Sequence, residues 1–518
     1  YTYDRVGNLI GYHDGLTAAF YSYDAAHRKI AETVDYGPFS LSYGYDYYAN
    51  GMKKSFTAPD GTTYQYTYDA NNQFSGVALP GAGFVTVNAH RWNRPEHITL
   101  PGGGSQRYVY DPLMRISSIA VDDPGQKGLM DYHYTYDRVS NITIKDTEHG
   151  NYSYRYDPLY RLLAASTPKE DETFTYDPLG NRLTAEGVAG SWRYNRNNEL
   201  LEYGDLTFDY DANGNMIRKT ANGRVLDFIY NTEDRLVRVE EPGGKLIAEY
   251  GYDPFGRRLW KYVDGIQTYF LYSDEGVIGE YAASGAELKA YGWKPGSIWG
   301  TDPLFMKIEG SYYFYHNDHL GTPQKMTAVN GSVVWKAKYT SFGEADIEDD
   351  SIFENHLRFA GQYLDEETGL HYNWNRYYDS AIGRYLTTDP LGIQKEEINL
   401  FLYVKANPIR YIDNTGLLTC GSGRNEPFVP DNPFGFGFSD CCQQHDDCYG
   451  TCGAEKTQCD DNFEQCMINS CISEGQGRPL RQALCRSWAR RYSWWVRNAG
   501  GSAFENAQTD CNCPNENQ

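Results

Sequence analysis

A short phrase that begins Tyr-Asp and returns roughly every 20 residues is the feature that most constrains the fold of this chain. The most regular copies read YDRVGNLI, YDPLMRI, YDRVSNI, YDPLYRL, YDPLGNRL, YDANGNMI and YDPFGRRL, and they begin at Tyr3, Tyr110, Tyr136, Tyr156, Tyr176, Tyr210 and Tyr252. A period of this length is typical of stacked supersecondary units, none of which can bury its apolar face alone. The repeat therefore predicts a series of similar units over residues 1–410.

Each unit is predicted to be a β-hairpin. Before the phrase, tyrosines alternate with other residues, as at Tyr64, Tyr66 and Tyr68, and a period of two places their rings on one face of a strand. The Asp-Pro, Asn-Gly or Gly-Asn that follows favours a turn. Adjacent hairpins should then pair edge to edge in a long curled sheet. The high content of tyrosine (47) and glycine (52) is typical of turn-rich β structure.

Length and charge limit the classes of protein. A chain of 518 residues is too long for one compact core, so at least two domains are expected. The net charge of −22 argues against a nucleic-acid partner, because binding to phosphates needs clustered Lys and Arg. The sequence has no apolar stretch of ~18 residues, so no transmembrane helix is predicted. The chain opens inside a repeat, so we interpret it as a fragment whose export signals lay in a preceding part.

The cysteines divide the chain. All eleven lie between Cys420 and Cys513. We therefore expect a β-repeat region at 1–355, the end of that region at 356–417, and a small helical, disulfide-rich domain at 418–518. Because disulfides form in oxidising compartments, full activity of the last domain is expected after export, in a periplasm or extracellular space.

Cysteine spacing predicts two antiparallel helices in that domain. Cys441 and Cys448 are seven residues apart, as are Cys459 and Cys466, so each pair lies on one helical face. Opposite chain directions bring Cys441 to Cys466 and Cys448 to Cys459 across a short turn. The pairing of the remaining cysteines stays open, and these are Cys452, Cys471, Cys485, Cys511 and Cys513.

A histidine and an aspartate in the string CCQQHDDCY carry the predicted chemistry. His445 faces the partner helix, where Asp460 can hold the imidazole as a general base. Asp446 points roughly 100° away, towards the glycine-rich CGSG that begins at Cys420, whose carbonyls could join its carboxylate around Ca²⁺. Pairing of Cys420 with Cys442 would tie this loop to the helix. A zinc site is the alternative for a histidine among cysteines, but the CxxC pairs of zinc modules are missing.

The repeats resemble the Rhs/YD-repeat family. Two stretches resemble the conserved end of the bacterial Rhs core: YFYHNDHLGTPQKMT at Tyr313–Thr327 and LRFAGQYLDEETGLHYNWNRYYDSAIGRYLTTDPLG at Leu357–Gly392. The resemblance implies a mainly β fold in which a spiralling YD-repeat sheet forms a hollow shell around a C-terminal toxin. One alternative is a passive adhesion or carrier protein with an inert disulfide-rich plug. Another is the C component of an insecticidal toxin complex.

The same resemblance implies an internal aspartic protease. Asp389 in TTDPLG and Asp413 in NPIRYIDNTGLL match its two aspartates, and Arg376 in RYYD matches an assisting arginine. Two close carboxylates can share a proton, so that one acts as base and the other as acid. The implied cleavage site is the Leu417–Leu418 bond. Considered alone, Asp389 before proline is only another turn, and Asn414 stands where the family has proline.

The C-terminal region resembles a secreted-type phospholipase A2. CCQQHDDCY matches the active-site helix, CDDNFEQC the second helix and CGSG the calcium loop. By position, His445 activates a water, Asp460 orients the imidazole and Tyr449 supports both. Asp446 would bind Ca²⁺, which polarises the sn-2 ester carbonyl. The backbone carbonyls implied in the same site are those of Thr419, Gly421 and Gly423. An inactive phospholipase fold is the alternative.

A basic amphipathic stretch is a candidate membrane contact. Arg478–Asn498 holds six arginines and no acidic residue, a pattern typical of helices that lie on anionic lipid, and equally of a helix with one core-facing stripe. The residues expected at the lipid are Arg486, Trp488, Trp494 and Trp495. The implied partners are a target-cell phospholipid membrane, a neutralising immunity protein, and secretion machinery (a PAAR-type spike or a chaperone) reached through the preceding part. The whole is predicted to be secreted or delivered into a target cell.

Overall fold

The computed structural model describes residues 1–185, 192–221, 223–392, 399–417 and 455–474. The chain divides into two compact units, Tyr1–Leu417 and Leu418–Gln518. The described part of the first unit is almost entirely β structure, and the described part of the second is one helix.

Eighteen strands form the first sheet of the first unit. Each strand pairs antiparallel with the next along the chain, which makes the sheet one continuous meander. The strands are β1 Thr2–Tyr3, β2 Leu9–His13, β3 Ala18–Tyr23, β4 Lys29–Asp35, β5 Ser40–Tyr47, β6 Lys53–Thr57, β7 Thr63–Tyr68, β8 Phe74–Leu79, β9 Gly83–Arg91, β10 Arg94–Thr99, β11 Ser105–Tyr110, β12 Ile116–Asp122, β13 Gly128–Tyr136, β14 Ile142–Thr147, β15 Gly150–Tyr156, β16 Leu162–Ser166, β17 Asp171–Tyr176 and β18 Arg182–Ala185.

Sixteen further strands form a second meander with the same neighbour-to-neighbour pairing. They are β19 Arg193–Tyr194, β20 Leu200–Tyr203, β21 Leu206–Tyr210, β22 Met216–Ala221, β23 Arg224–Tyr230, β24 Leu236–Glu241, β25 Lys245–Tyr252, β26 Arg258–Val263, β27 Ile266–Tyr272, β28 Val277–Ala282, β29 Glu287–Trp293, β30 Pro303–Ile308, β31 Ser311–Asn317, β32 Pro323–Ala328, β33 Val333–Tyr339 and β34 Ala345–Ile347. The predicted hairpin series is thus confirmed for the described residues between Thr2 and Ile347.

A small third sheet ends the first unit. It has four almost fully buried strands, which are β35 Tyr363–Asp365, β36 Leu370–Asn373, β37 Arg376–Asp379 and β38 Arg384–Tyr385. Short 3₁₀ turns occur at Pro101–Gly103 and Val404–Ala406. The described helix of the second unit, α1, spans Lys456–Glu474 and contains the cysteines for which a second helix was predicted.

The aspartate of the repeat phrase closes a tight turn. In the β15–β16 hairpin, Asp157 Oδ1 accepts hydrogen bonds from the backbone amides of Leu159 and Arg161, each at 2.9 Å. Its Oδ2 lies 2.6 Å from Arg161 Nε. The third residue after the aspartate, Tyr160, has φ 63°, in the left-handed region that an asparagine, aspartate or glycine turn often uses. The phrase therefore encodes its own turn.

The tyrosine that ends a strand ties one hairpin to the one before it. Its hydroxyl donates to a backbone carbonyl 12–20 positions earlier at 2.6–2.9 Å, in Tyr23, Tyr47, Tyr68, Tyr110, Tyr136, Tyr156, Tyr176, Tyr194, Tyr230, Tyr252 and Tyr272. The pairing register also shifts directly before this tyrosine, for example between Arg155 and Tyr156. A β-bulge of this kind turns a strand and re-aims its side chains, so the ring reaches back over the preceding hairpin.

Alternating tyrosines form the core, as their period predicts. Tyr64 and Tyr66 of β7 are 4% and 9% exposed. The ring of Tyr64 contacts the ring of Phe305 in the second meander at a tilt of 40°, with centroids 5.3 Å apart. Tyr36 donates a hydrogen bond to the carbonyl of Phe270 at 2.7 Å. The two meanders thus share one hydrophobic core.

Candidate active site

Three buried charged residues from the end of the first unit meet at one point. The guanidinium Nη2 of Arg376, at the start of β37, lies 2.8 Å from Asp389 Oδ2 and 3.3 Å from Asp413 Oδ2. All three residues are at most 7% exposed. The structure therefore brings together the arginine and both aspartates predicted for the protease.

Arg376 is held by contacts on every side. Its Nε donates to the carbonyl of Gly416 at 2.6 Å and its Nη1 to the carbonyl of Leu400 at 3.0 Å. The guanidinium carbon lies 3.6 Å from the ring centroid of Tyr385. Gly416 has φ 69°, and a β-carbon there would lie 2.4 Å from the carbonyl oxygen of Asn373, so only glycine suits this position. The loop 413–417 is thereby fixed against β36 and β37.

Asp413 lies next to the predicted cleavage site. Its Oδ1 accepts a hydrogen bond from the backbone amide of Leu417 at 3.0 Å, and its Oδ2 accepts one from Tyr385 Oη at 2.6 Å. Asn373 Nδ2 donates to the backbone carbonyl of Asp413 at 2.7 Å and to Tyr385 Oη at 3.0 Å. One carboxylate thus contacts both the charged cluster and the residue that carries the predicted scissile carbonyl.

Burial raises the pKa of Asp413 to about 6. Loss of hydration is the largest cause, the negative charge of Asp389 adds to it, and Arg376 and Tyr385 oppose both effects. A carboxyl group with such a pKa can hold or release a proton near neutral pH. This is the property that a carboxylate pair needs for general acid–base chemistry.

Asp389 is both a turn residue and a member of the cluster. Its Oδ1 accepts a hydrogen bond from the amide of Leu391 at 2.9 Å, as the repeat aspartates do two residues on. Its Oδ2 differs, because it pairs with the distant Arg376. Asp389 therefore has the hydrogen bond of a repeat turn and also a place in the charged cluster.

Tyr385 and Asn373 belong to the site but were not predicted. Both lie in the stretch that resembles the end of the Rhs core, which was the available signal. Asn414, which replaces the family's proline, donates to the carbonyl of Trp299 at 3.2 Å and leaves Asp413 in the cluster.

In the second unit, Asp460 of α1 is 2% exposed and accepts a hydrogen bond from Lys456 Nζ at 2.6 Å. Cys459, Cys466 and Cys471 are disulfide-bonded. Buried residues recur every four positions along the helix, at Cys459, Phe463, Met467 and Cys471. The other predicted residues of this unit lie outside the described residues: His445, Tyr449, Asp446, Thr419, Gly421, Gly423, Cys420, Cys441, Cys442, Cys448, Arg486, Trp488, Trp494 and Trp495.

One further cluster in the described ranges has the composition of a metal site. Ligand atoms of Glu354, His356 and Glu366 lie within 4.8 Å of one another. Lys289 Nζ lies 3.4 Å from His356 Nδ1, and its positive charge opposes a cation there.

Among the helices of the described ranges, none is long and apolar enough to cross a membrane.

Comparison with known proteins places the first unit. A family model described as Teneurin YD-shell matches residues 1–154 and 135–409. Double-stranded DNA deaminase toxin A of Burkholderia cenocepacia (strain H111) is 29% identical over 256 residues, which are 43% of this chain and 18% of that protein. Probable deoxyribonuclease RhsB of Dickeya dadantii (strain 3937) is 28% identical over 459 residues, which are 80% of this chain and 29% of that protein.

The fold itself has a counterpart among solved structures. The crystal structure of TcdB2-TccC3-TEV superposes with a TM-score of 0.65 at 18% sequence identity, over 79% of this chain and 24% of that one. At this identity the likeness shows a shared fold. The chain spans less than a third of the length of each of these proteins.

Proposed function

This chain belongs to the Teneurin YD-shell family, and from that premise we propose that it is part of an Rhs-type toxin, whose shell cuts itself after Leu417 and so frees residues 418–518 as cargo. Two matched relatives are a deaminase toxin and a probable deoxyribonuclease by name, which supports a toxin role. The two compact units divide at the same bond, Leu417–Leu418.

The observation that carries this proposal is the position of Asp413. Its carboxyl group, with a pKa near 6, contacts the amide of Leu417 and shares Arg376 with Asp389. We assign the two carboxyl groups the two halves of acid–base catalysis. One takes a proton from water as the water oxygen attacks the Leu417 carbonyl carbon, and the other gives a proton to the departing amine of Leu418.

Arg376 has a positioning role in this scheme. Its guanidinium is tied to the carbonyls of Gly416 and Leu400, and it keeps two negative groups close together in a buried setting. Without that charge, two adjacent buried carboxylates would repel, and both would favour the protonated form. Arg376→Met should therefore slow cleavage by abolishing the ionised member of the pair.

Intact-mass and N-terminal analysis of the purified full chain tests self-cleavage. We expect a new N-terminus at Leu418 in the natural protein and none in Asp389→Asn or Asp413→Asn. Asp157→Asn is the matched control, because Asp157 also precedes proline and binds an arginine but lies in an ordinary repeat turn. Cleavage that persists in both active-site variants would refute the proposal.

For the cargo we propose a Ca²⁺-dependent phospholipase A2. The family match ends at residue 409, so the cargo has to be argued from its own residues. Support comes from the CCQQHDDCY string, and from the burial of Asp460 beside disulfide-bonded Cys459 on α1. His445 would act as general base towards water, with Asp460 and Tyr449 orienting it. Asp446 and the carbonyls of the CGSG loop are the residues that would hold Ca²⁺, whose chemistry there is that of a Lewis acid.

Release of lysophospholipid from phosphatidylglycerol or phosphatidylethanolamine vesicles tests the cargo. The oxidised full chain should release it with Ca²⁺ and lose that activity in EGTA and in His445→Gln. Degradation of DNA or tRNA in place of lipid would assign the cargo to a nuclease, as in relatives with such names. If the chain neither releases lysophospholipid nor degrades nucleic acid, the adhesion or carrier alternative with an inert plug is favoured.

The same proposal includes delivery and partners. We propose secretion or delivery into a target cell, contact of Arg486, Trp488, Trp494 and Trp495 with its phospholipid membrane, and an immunity protein that protects the producer. Secretion machinery would be reached through a preceding part of the chain. A preceding region that binds an injection spike would favour the Rhs assignment over the C component of an insecticidal toxin complex.

A further inference from the structure

A small cavity in the first unit lies among buried cationic and aromatic side chains. Its volume is about 30 Å³, and its lining includes Arg258, Arg358 and Gln362 together with Gly300 and Gly361. A single water needs ~10–15 Å³ by the same measure. The cavity therefore has room for one small ion or for very few waters, and it is too small for a phosphate ester.

A turn presents two of these residues to the cavity. The amide of Arg358 donates to the carbonyl of Gln362 at 3.0 Å. Gly361, at φ 82°, donates its amide to the carbonyl of Gly300 at 3.0 Å. A β-carbon on Gly300 would lie 2.5 Å from Gly361 Cα, so glycine at position 300 is needed for this close approach of the backbone. The sequence RFAGQ thus builds one wall of the cavity.

The unsatisfied side-chain groups around this cavity are all hydrogen-bond donors. Within the described ranges, Arg258 Nε, Arg358 Nε and Gln362 Nε2 are buried and have no hydrogen-bond partner. Gln362 Oε1, by contrast, is engaged with His371 Nδ1 at 2.7 Å. A water would bring two hydrogens of its own that also need acceptors. An occupant that only accepts hydrogen bonds fits these donors better.

Among the described residues, the positive charge of Arg358 has no counter-charge. Arg358 is 3% exposed, and no carboxylate oxygen of the described residues lies within salt-bridge distance of it. Its Nη1 donates to the backbone carbonyls of Asn355 and Leu357. Arg258 differs, because it pairs with Asp365. A buried unpaired charge is strongly unfavourable, so Arg358 needs a partner of opposite sign.

From these observations we propose that the cavity binds a small monovalent anion, chloride under physiological conditions. Arg358 is its counter-ion, and Gln362 Nε2 and Arg258 Nε are its further donors. Charge-assisted hydrogen bonds of this kind are the strong ones. Neighbouring His371 adds no charge, because burial and the charge of Arg358 lower its pKa to about 3.

Thermal unfolding of the full chain in chloride and in gluconate, at constant ionic strength, tests the site. Above Kd, the Tm of the natural protein should rise with the logarithm of the chloride concentration, by about 2 °C at a tenfold excess over Kd. Gluconate is too large to enter the cavity and should give no such rise. Bromide should replace chloride, and crystals soaked in bromide should show an anomalous peak between Arg358 and Gln362.

Gln362→Glu gives the sharpest variant, because it places a carboxylate beside Arg358 without changing the side-chain size. It should unfold at a higher Tm than the natural protein in gluconate and lose the chloride effect. Arg193→Met is the matched control, since Arg193 is an exposed arginine of the same unit and its loss should leave the chloride effect intact. A chloride effect that is unchanged in Gln362→Glu, or a cavity without bromide density, would overturn the proposal.

Discussion

At the scale of single residues, one turn geometry serves two purposes. Asp157 and Asp389 both precede proline, and both accept a backbone amide two residues on. The free oxygen of Asp157 binds Arg161 in its own turn, whereas that of Asp389 binds Arg376 from a different strand. The second oxygen of the carboxylate therefore decides between a structural turn and a candidate catalytic group.

The raised pKa of Asp413 predicts a pH dependence of stability. Its folded pKa of about 6 exceeds the ordinary value of 3.8, so the folded state binds the proton more tightly, and this contribution is lost as pH rises through 6. The shift corresponds to about 3 kcal/mol. At pH 4, close to the ordinary pKa, most of this contribution is present, and at pH 7 almost none is. The free energy of unfolding of Asp413→Asn, relative to the natural protein, should therefore increase by about 2 kcal/mol between pH 4 and pH 7.

Urea unfolding of the first unit at several pH values measures this difference. A constant difference between Asp413→Asn and the natural protein across the range would contradict the pKa assigned to this carboxyl group.

The same group predicts the pH range of self-cleavage. A carboxylate pair works as acid and base when it holds one proton, and Asp413 loses its proton as pH rises above about 6. Cleavage of freshly refolded chain, followed by gel electrophoresis, should slow as pH rises from 6 to 8. Cleavage that accelerates steadily over this range would indicate a different catalytic group.

At the scale of elements, the repeat tyrosine links neighbouring hairpins. Tyr156 Oη donates to the carbonyl of Ile142 at 2.7 Å, and the bulge before Tyr156 directs its ring there. Tyr156→Phe removes the hydroxyl donor, so the carbonyl of Ile142 loses this hydrogen bond. The free energy of unfolding should fall by about 1 kcal/mol. Chemical denaturation measures the change.

Tyr160→Phe is the control for this prediction. Tyr160 lies four residues away in the same repeat, and 44% of its surface is exposed. Loss of its hydroxyl should change the free energy of unfolding by less than about 0.5 kcal/mol. Equal effects of the two substitutions would show that the tyrosine–carbonyl contact contributes little.

Some of these elements could be predicted from the sequence and others could not. The hairpin series was predictable because the period-two rings and the turn residues are local properties. The tyrosine–carbonyl contacts were not, since they depend on a bulge that no single residue marks. Within the site, Arg376, Asp389 and Asp413 came from a family resemblance. The same resemblance covers the stretch that contains Tyr385, but it does not single out this one of the 47 tyrosines, which reaches Asp413 across 28 positions.

At the scale of the whole molecule, the two units depend on different kinds of bond. The first unit contains no cysteine, while Cys459, Cys466 and Cys471 of the second are disulfide-bonded. A native bridge in a small domain contributes ~2–5 kcal/mol. Reduction should therefore lower the unfolding temperature of residues 418–518 and leave that of residues 1–417 unchanged. Calorimetry with and without reductant measures the unfolding transitions of both units. A transition of residues 1–417 that shifts with reductant would contradict this prediction.

The tyrosine ties have a consequence for how such a chain can change over evolutionary time. Each hydroxyl reaches back only 12–20 positions, so it depends on its immediate predecessor and on nothing more distant. Duplication or deletion of one complete hairpin would leave every remaining tie with a partner. The ties between neighbouring hairpins therefore allow the meander to lengthen or shorten by whole hairpins, whereas the contacts between the two meanders, such as that of Tyr64 with Phe305, have to be matched again.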